Sequence, residues 1–547
     1  MAATTTPADR RKRLALIAAI MGSFVAGLDA TAVNVALPTI RADLGGGLAG
    51  QQWVSNAYLL ALGSLILVGG SLGDIFGERR IFSIGVAGFG AISVVCAAAP
   101  DIGVLIAGRA LQGAFGALLM PSALAVIISA FPRDERGGAI GSWTAWSGIA
   151  TVIGPLAGGY LVDAVSWRLI FAINVPFVII TLVLVSLAIP SRARGAAHAP
   201  VDWLGAALTF FGLAGPVLAL IRLPDAGWSS PQVWGTGITG LVLLAIFPLH
   251  ERRTAAPTVP LGLFKRRNFT IGNVQTLAMY GGLGITFFLL VLYLQEVAGY
   301  SALRSGLSMI PTTLVMFVLS KRFGRLADRF GPRLFMGGGP LLAAAGLALM
   351  LRLGAHVDYL TDLLPALLVF SLGLSATVAP LTATVLADAD DSNAGIASGI
   401  NNAVARIAGL LSIAAVGAVI SSQFAQSLDR SLAGDRLSPA AARAVAQARG
   451  QTLARLDPGQ VGQHVAAAVQ AASVHAFHVG IGISALLVGL GGLLGLFGIR
   501  NPRRPVRCQD CAGGQFAGQP QDAARDAARD GARAALDAPS STGAGPE

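Results

Sequence analysis

Fourteen apolar runs of membrane-crossing length dominate this 547-residue chain and restrict what it can fold into. They lie at roughly 14–37, 53–72, 81–99, 102–128, 139–162, 169–189, 203–222, 233–249, 270–297, 305–320, 334–353, 361–387, 396–420 and 476–499. About 20 apolar residues cross the hydrocarbon core as a helix. In lipid every backbone N–H and C=O must be satisfied within the chain, so runs of this kind fold as helices. Hydrophobic residues make up 54% of the chain and charged residues 12%, against about 25% charge in an ordinary soluble domain. The expected class is an all-α membrane protein solvated by the lipid bilayer. The first run follows Arg10-Arg11-Lys12-Arg13 and is too long for a signal peptide, so it reads as a retained helix.

One polar stretch occurs twice. Residues 70–80 read GSLGDIFGERR, and residues 324–333 read GRLADRFGPR. Gly70 aligns with Gly324, Leu72 with Leu326, Asp74 with Asp328, Phe76 with Phe330, Gly77 with Gly331 and Arg79 with Arg333, each pair 254 residues apart. Each copy is a hinge between two apolar runs, which points to two homologous halves. In repeat-built transporters the binding site lies between the repeats near the bilayer midplane. The runs then parse as six, two and six. This gives an N-terminus at 1–13, a six-helix bundle at 14–190, and a linker at 191–269 carrying two extra helices. A second six-helix bundle follows at 270–499, and a disordered tail at 500–547. The segment 421–475 is a long outer loop expected to hold two or more short amphipathic helices.

Charge placement orients the chain. With the N-terminus inside, the inside segments hold twenty-four Lys and Arg, and the short outside loops hold five. The positive-inside rule therefore puts both termini in the cytoplasm. It also accounts for the net charge of +11 without nucleic acid. The inside loop DADDSNAG, 388–395, is acidic and breaks the pattern. Arginine far outnumbers lysine, as in GC-rich coding sequences, so a bacterial plasma membrane is the expected location. Cys508 and Cys511 form a lone CxxC without a second ligand pair, and no metal site is expected.

Several residues stand out against this apolar background. Asp29 is the one acid well inside a run of the first half, and intramembrane acids are functional candidates by default. Low dielectric disfavours a charged carboxylate, a property that suits a proton carrier. Counted from expected helix ends at Leu37 and Ile102, Asp29 and Arg109 sit about 12 Å and 10 Å deep, at 1.5 Å per residue. Asp29 is expected to carry the proton, with Arg109 tuning it. In the hinge, Gly70 and Gly77 permit a close approach and a sharp turn. Asp74 sits at a helix end, and Arg79 and Arg80 are expected to pair with carboxylates such as Glu135 in a cytoplasmic latch. Gly324, Asp328, Gly331 and Arg333 repeat that latch. Gly154, Pro155, Gly158 and Gly159 permit a kinked helix with close helix contacts. Trp146, Tyr280, Phe287, Asn401, Asn402 and Arg406 are candidate cavity residues for flat apolar substrates. Glu296 lies near the outer end of its helix, at the interface.

Five segments in order carry a resemblance. The hinge resembles motif A of the major facilitator superfamily. LDATAVNVALP at 28–38 resembles the first-helix motif of its fourteen-span drug:proton antiporters, the EmrB/QacA type. Arg109-Ala-Leu-Gln112-Gly113 resembles motif B, AxxxGPxxGG at 150–159 the antiporter motif C with Ala150 in place of its first glycine, and WRLIFAINVP at 167–176 the entry to the sixth helix. The resemblance implies a major facilitator fold: two pseudo-symmetric six-helix bundles plus two extra central helices. It also implies that motif C accompanies proton-coupled export.

The energy source follows by exclusion. No GxxxxGK[ST] phosphate loop is present, and Lys12, Lys265 and Lys321, the only lysines, all lack the required glycines. ATP is therefore not a partner, and a proton gradient stands in place of a cofactor. No nucleophile–base pair or metal ligand set suggests an enzyme. The expected function is proton-coupled export of lipophilic neutral or monovalent cationic amphipathic molecules, with multidrug efflux in view. The alternatives are a dedicated exporter of one lipid, siderophore or antibiotic, and a transport-inactive membrane sensor.

Overall fold

The computed structural model describes residues 7–188, 201–254, 257, 259–387 and 394–501. The side chains of Leu67, Asp74 and part of the 133–152 stretch lie outside that description. So do residues 388–393 of the acidic loop and the tail with Cys508 and Cys511. All regular structure among the described residues is helical.

The first bundle comprises α1 (Pro7–Leu44), α2 (Gly47–Phe76), α3 (Glu78–Ala97), α4 (Ile102–Ala130), α5 (Arg133–Ala164) and α6 (Leu169–Ala188). A hairpin of α7 (Trp203–Ala226) and α8 (Pro231–Glu251) follows. The second bundle comprises α9 (Arg267–Glu296), α10 (Ala302–Phe330), α11 (Pro332–Leu349), α12 (Leu364–Ala387), α13 (Ala394–Ser431) and α14 (Gln463–Gly498). Among the described residues, 12 helices are long and apolar enough to cross a membrane. The remaining two, α2 and α5, contain undescribed side chains and run for 30 and 32 residues.

The duplicated hinge is visible in the backbone. Gly77 separates α2 from α3 at φ 89°, ψ 134°, and Gly331 separates α10 from α11 at φ 86°, ψ 147°. Only glycine enters this region without strain. Both turns lie on the face that carries the N-terminus, here the near face.

The bundles meet along two seams. α2 packs on α13, and α5 packs on the first turns of α10. The α7–α8 hairpin lies across the first seam. Its Leu213, Val217 and Ile221 share a core with Leu60 of α2 and with Leu410 and Ala414 of α13. The two extra helices thus bridge both halves. The segment 421–475 holds less loop than its composition suggests. α13 runs on to Ser431 and α14 starts at Gln463, leaving one 11-residue helix, Pro439–Arg449, and a single turn at Pro458–Val461. Gly450 of this segment accepts a hydrogen bond from Leu48 N at 3.2 Å, so it covers far-face ends of both bundles.

The two hinge glycines should respond differently to substitution. A Cβ at Gly77 would meet nothing within 4 Å, whereas one at Gly331 would strike Asn501 at 2.4 Å. Gly77→Ala is expected to cost about 1–3 kcal/mol, from backbone strain alone. Gly331→Ala is expected to cost more, read as a larger drop in the thermal unfolding midpoint in detergent.

Candidate functional site

A buried charge cluster forms in the first bundle around Asp29, which is 0% exposed, and Arg109, which is 1% exposed. Arg109 Nη1 donates to Asp29 Oδ2 at 2.5 Å and to Gln112 Oε1 at 2.6 Å. Gln112 Nε2 donates to Asp29 Oδ1 at 3.1 Å and to Ser93 Oγ at 2.9 Å. Asn174 Nδ2 also reaches Asp29 Oδ1, at 3.0 Å. Arg109 Nε donates to Val54 O at 3.1 Å, and the guanidinium lies 4.3 Å from the Tyr58 ring centroid. Five helices thus converge: α1 supplies the acid, α4 the cation and amide, and α2, α3 and α6 supply Val54 and Tyr58, Ser93, and Asn174.

Local sequence explains why the helices can come this close. A Cβ at Gly113, one residue past Gln112, would meet Tyr58 O at 2.3 Å, so α4 and α2 touch backbone to backbone beside the cluster. The expected pairing of Asp29 with Arg109 is present, although α1 ends at Leu44 and not at Leu37. Gln112 was legible only as part of a motif. Ser93, Asn174 and Tyr58 carried a weaker signal, single polar side chains inside apolar runs.

The glycines of α5 join this cluster to the second bundle. A Cβ at Gly154 would meet Thr31 Oγ1 at 2.0 Å, and one at Gly158 would meet Ala32 Cα at 3.0 Å, both on α1 next to Asp29. A Cβ at Gly159 would meet Leu303 Cα at 2.6 Å, on α10. Pro155 O lies 2.4 Å from where a Cβ on Gly306 would stand. Asp163, near the end of α5, accepts from the N–H groups of Ala302 at 3.1 Å and Leu303 at 2.8 Å. Arg41 Nη2 donates to Glu296 Oε2 at 2.7 Å, and Gln295 Nε2 to Val35 O at 2.9 Å. These contacts seal the far face. Glu296 is therefore an inter-bundle partner and not a lone interfacial acid.

The near-face latch differs from expectation. Glu135 pairs with Lys12 Nζ at 2.9 Å, not with Arg79 or Arg80. Lys12 precedes the first membrane run and reaches α5 directly, which a pairing argument between loops overlooked. Arg80 is exposed and Arg79 partly buried, and the Asp74 side chain lies outside the described residues. Gly70 faces Pro121 at 3.7 Å, and Gly324 is buried. Arg333 Nε donates to Leu496 O at 2.5 Å, within the second bundle. Asp328 carries an interaction of its own.

The candidate cavity residues do not form one wall. Phe287 packs on Phe370 at 6.2 Å, inside the second bundle. Trp146 is 51% exposed. Asn401 donates to Asn273 Oδ1 at 3.2 Å and to Thr276 Oγ1 at 2.8 Å, tying α13 to α9. Asn402 is partly buried beside it on α13 and carries an interaction of its own. Arg406 and Tyr280 are partly buried and lie within electrostatic reach of each other.

Paired helical bundles with a buried ion pair in one and a sealed far face between them define a multi-pass membrane transporter, not an enzyme. The model of the Major Facilitator Superfamily matches residues 19–413, and the chain belongs to that family. It is 36% identical over 419 residues to the puromycin resistance protein pur8 of Streptomyces alboniger, covering 75% of this chain and 82% of the relative. It is 34% identical over 466 residues to a probable actinorhodin transporter of Streptomyces coelicolor, covering 82% and 80%. It is 36% identical over 412 residues to the tetracenomycin C resistance and export protein of Streptomyces glaucescens, covering 75% and 76%. Among solved structures, a bacterial homolog of the human lysosomal transporter Spinster matches with TM-score 0.59 and 18% identity, covering 90% of this chain and 99% of that one. An auto-inhibited POT family peptide transporter matches with TM-score 0.60 and 13% identity, covering 91% and 99%. Both structures speak to the fold alone.

Two outcomes test this geometry. Asp29→Asn leaves Arg109 buried without a counter-charge, expected to cost about 3–5 kcal/mol. Asp29→Asn with Arg109→Gln should recover much of that loss in thermal unfolding, since contacting residues couple. Separately, Gly159→Leu should hold the far face open. In a background without native cysteines, Ala302→Cys, 4% exposed at this seam in the wild type, should then react faster with a membrane-impermeant maleimide.

Proposed function

We propose that the protein is a proton-coupled antiporter that exports lipophilic small molecules, neutral or monovalent cationic, by alternating access. The observation that carries the reading is the fully buried Asp29–Arg109 pair. An acid shut away from water and bound to a movable cation can change protonation when helix rocking lengthens that pair. The α5 contacts support it, because one helix touches α1 beside Asp29 and α10 of the other bundle. The near face is taken as cytoplasmic, with both termini inside and fourteen crossings, from the distribution of positive charge. Asp29 carries the proton in this reading, with Arg109 as the partner that tunes it.

A dedicated exporter of one compound is the second reading. It is favoured by relatives whose names each specify a single antibiotic, while another, the multidrug resistance protein Stp of Mycobacterium tuberculosis, points the other way.

The test is probe movement in proteoliposomes under an imposed pH gradient without ATP. One proton exchanged for one neutral molecule sustains about a tenfold concentration ratio per pH unit. Wild type should approach that ratio, and Asp29→Asn should lose it. Unchanged pH-driven movement in Asp29→Asn would remove Asp29 as the proton site.

A further inference from the structure

The second bundle holds a cation that the charge cluster does not use. Arg406 lies roughly 18 Å along α13, at 1.5 Å per residue, and so at mid-membrane depth. Its Nε is shut off from solvent and has no hydrogen-bond partner, while the side chain as a whole is only partly buried. Among the described residues, the titratable groups within electrostatic reach of it are the Tyr58 and Tyr280 phenols, and neither brings a carboxylate. A Cβ at Gly63 would lie 3.5 Å from Arg406 Cβ, so the side chain starts directly at the seam between α2 and α13. On the same side, α9 presents Asn273 and Thr276 to Asn401, with Tyr280 one turn further along.

Among the described residues, two arginines of the first bundle sit on carboxylates. Arg109 has Asp29, and Arg41 has Glu296. A guanidinium offers five donors in a planar fork, and a donor buried without a partner, as Nε is, is costly. We infer that Arg406 is a substrate subsite that takes an acidic oxygen group, a carboxylate or phenolate, of an otherwise apolar aromatic molecule. A carboxylate or phenolate placed there receives charge-assisted hydrogen bonds from the fork. Tyr280, partly buried, lies within reach beside it. Tyr58 faces two ways, with the Arg109 guanidinium over its ring and Arg406 within reach, so the subsite adjoins the charge cluster across the seam.

This rests on the export reading and shifts its substrate class, turning preference away from cations. Outward movement of an anion and inward movement of a proton both run with an inside-negative membrane potential, so the sign of charge is compatible with antiport.

The experiment measures equilibrium binding of three matched probes to the full chain in nanodiscs, with no gradient. The probes are 2-naphthoate, 2-naphthamide and 2-(aminomethyl)naphthalene. Wild type should bind the naphthoate at least about tenfold tighter than the amide, the scale of one hydrogen bond to a charged group. Arg406→Gln should erase that preference, weakening naphthoate binding far more than amide binding, and Arg406→Lys should restore part of it. Equal binding of anion and amide by wild type overturns the inference without any variant, as does tighter binding of the amine. A preference that survives in folded Arg406→Gln overturns it too. Should that variant not fold, Arg406→Lys is measured, with a weakened anion preference expected and an unchanged one counting against the subsite. Because no gradient is applied, loss of proton coupling in proteoliposomes leaves this result untouched, and the two readings fail separately.

Discussion

A carboxylate and a guanidinium removed from water must find all their hydrogen bonds inside the protein, and the first bundle is arranged around that demand. Asp29 receives donors from Arg109, Gln112 and Asn174, and Ser93 accepts from Gln112 and Asn174. Ser93 in turn donates to Phe89 O at 2.8 Å, anchoring the network on the α3 backbone, with Asn174 Oδ1 its one buried atom lacking a partner. A half-satisfied network in low dielectric would be worse than an apolar core. Five helices are therefore held in one relation by a few polar atoms. Separating the pair is costly, because it leaves two uncompensated buried charges.

The far-face seal and the cluster share a helix. On one side α5 lies against Leu28, Thr31 and Ala32 of α1, and on the other against Ala302 and Leu303 of α10. Glycine makes both approaches possible, because at each position a side chain would overlap neighbouring atoms. Close-packed interfaces of this kind have few intermediate arrangements. A shift of α1 is thus felt at the seam without a long relay. The Arg41–Glu296 pair sits at the same seam, with side chains 11% and 15% exposed.

The two extra helices have a structural place of their own. α7 sits on α2 and α13 together, so it covers a line that opens and closes if the halves rock. Its partner α8 turns most of its apolar surface outward, with Trp234, Ile238 and Leu241 more than half exposed. That is the surface of a helix in lipid. At the near-face end of the hairpin, His250 reaches Asp202 at 2.7 Å and closes the pair.

How much of this was legible in the residues depended on range. Run lengths and the 254-residue repeat were enough for helices, two halves and an inserted pair, because lipid leaves the backbone no alternative to internal hydrogen bonding. Asp29 and Arg109 stood out as charges where charge is costly. Helix ends were less legible, as α1 and α13 both continue past their apolar stretches, and hydropathy does not register a helix that carries on into the polar layer. The Lys12–Glu135 pair, the bridge from Arg41 to Glu296 and the unpartnered Nε of Arg406 were decided only by tertiary structure. Each depends on which helices become neighbours across more than a hundred residues, and a local pattern of charge carries no record of that. The sequence by itself determined that charges would be buried. The packing of helices determined which of them met a carboxylate across the bundle.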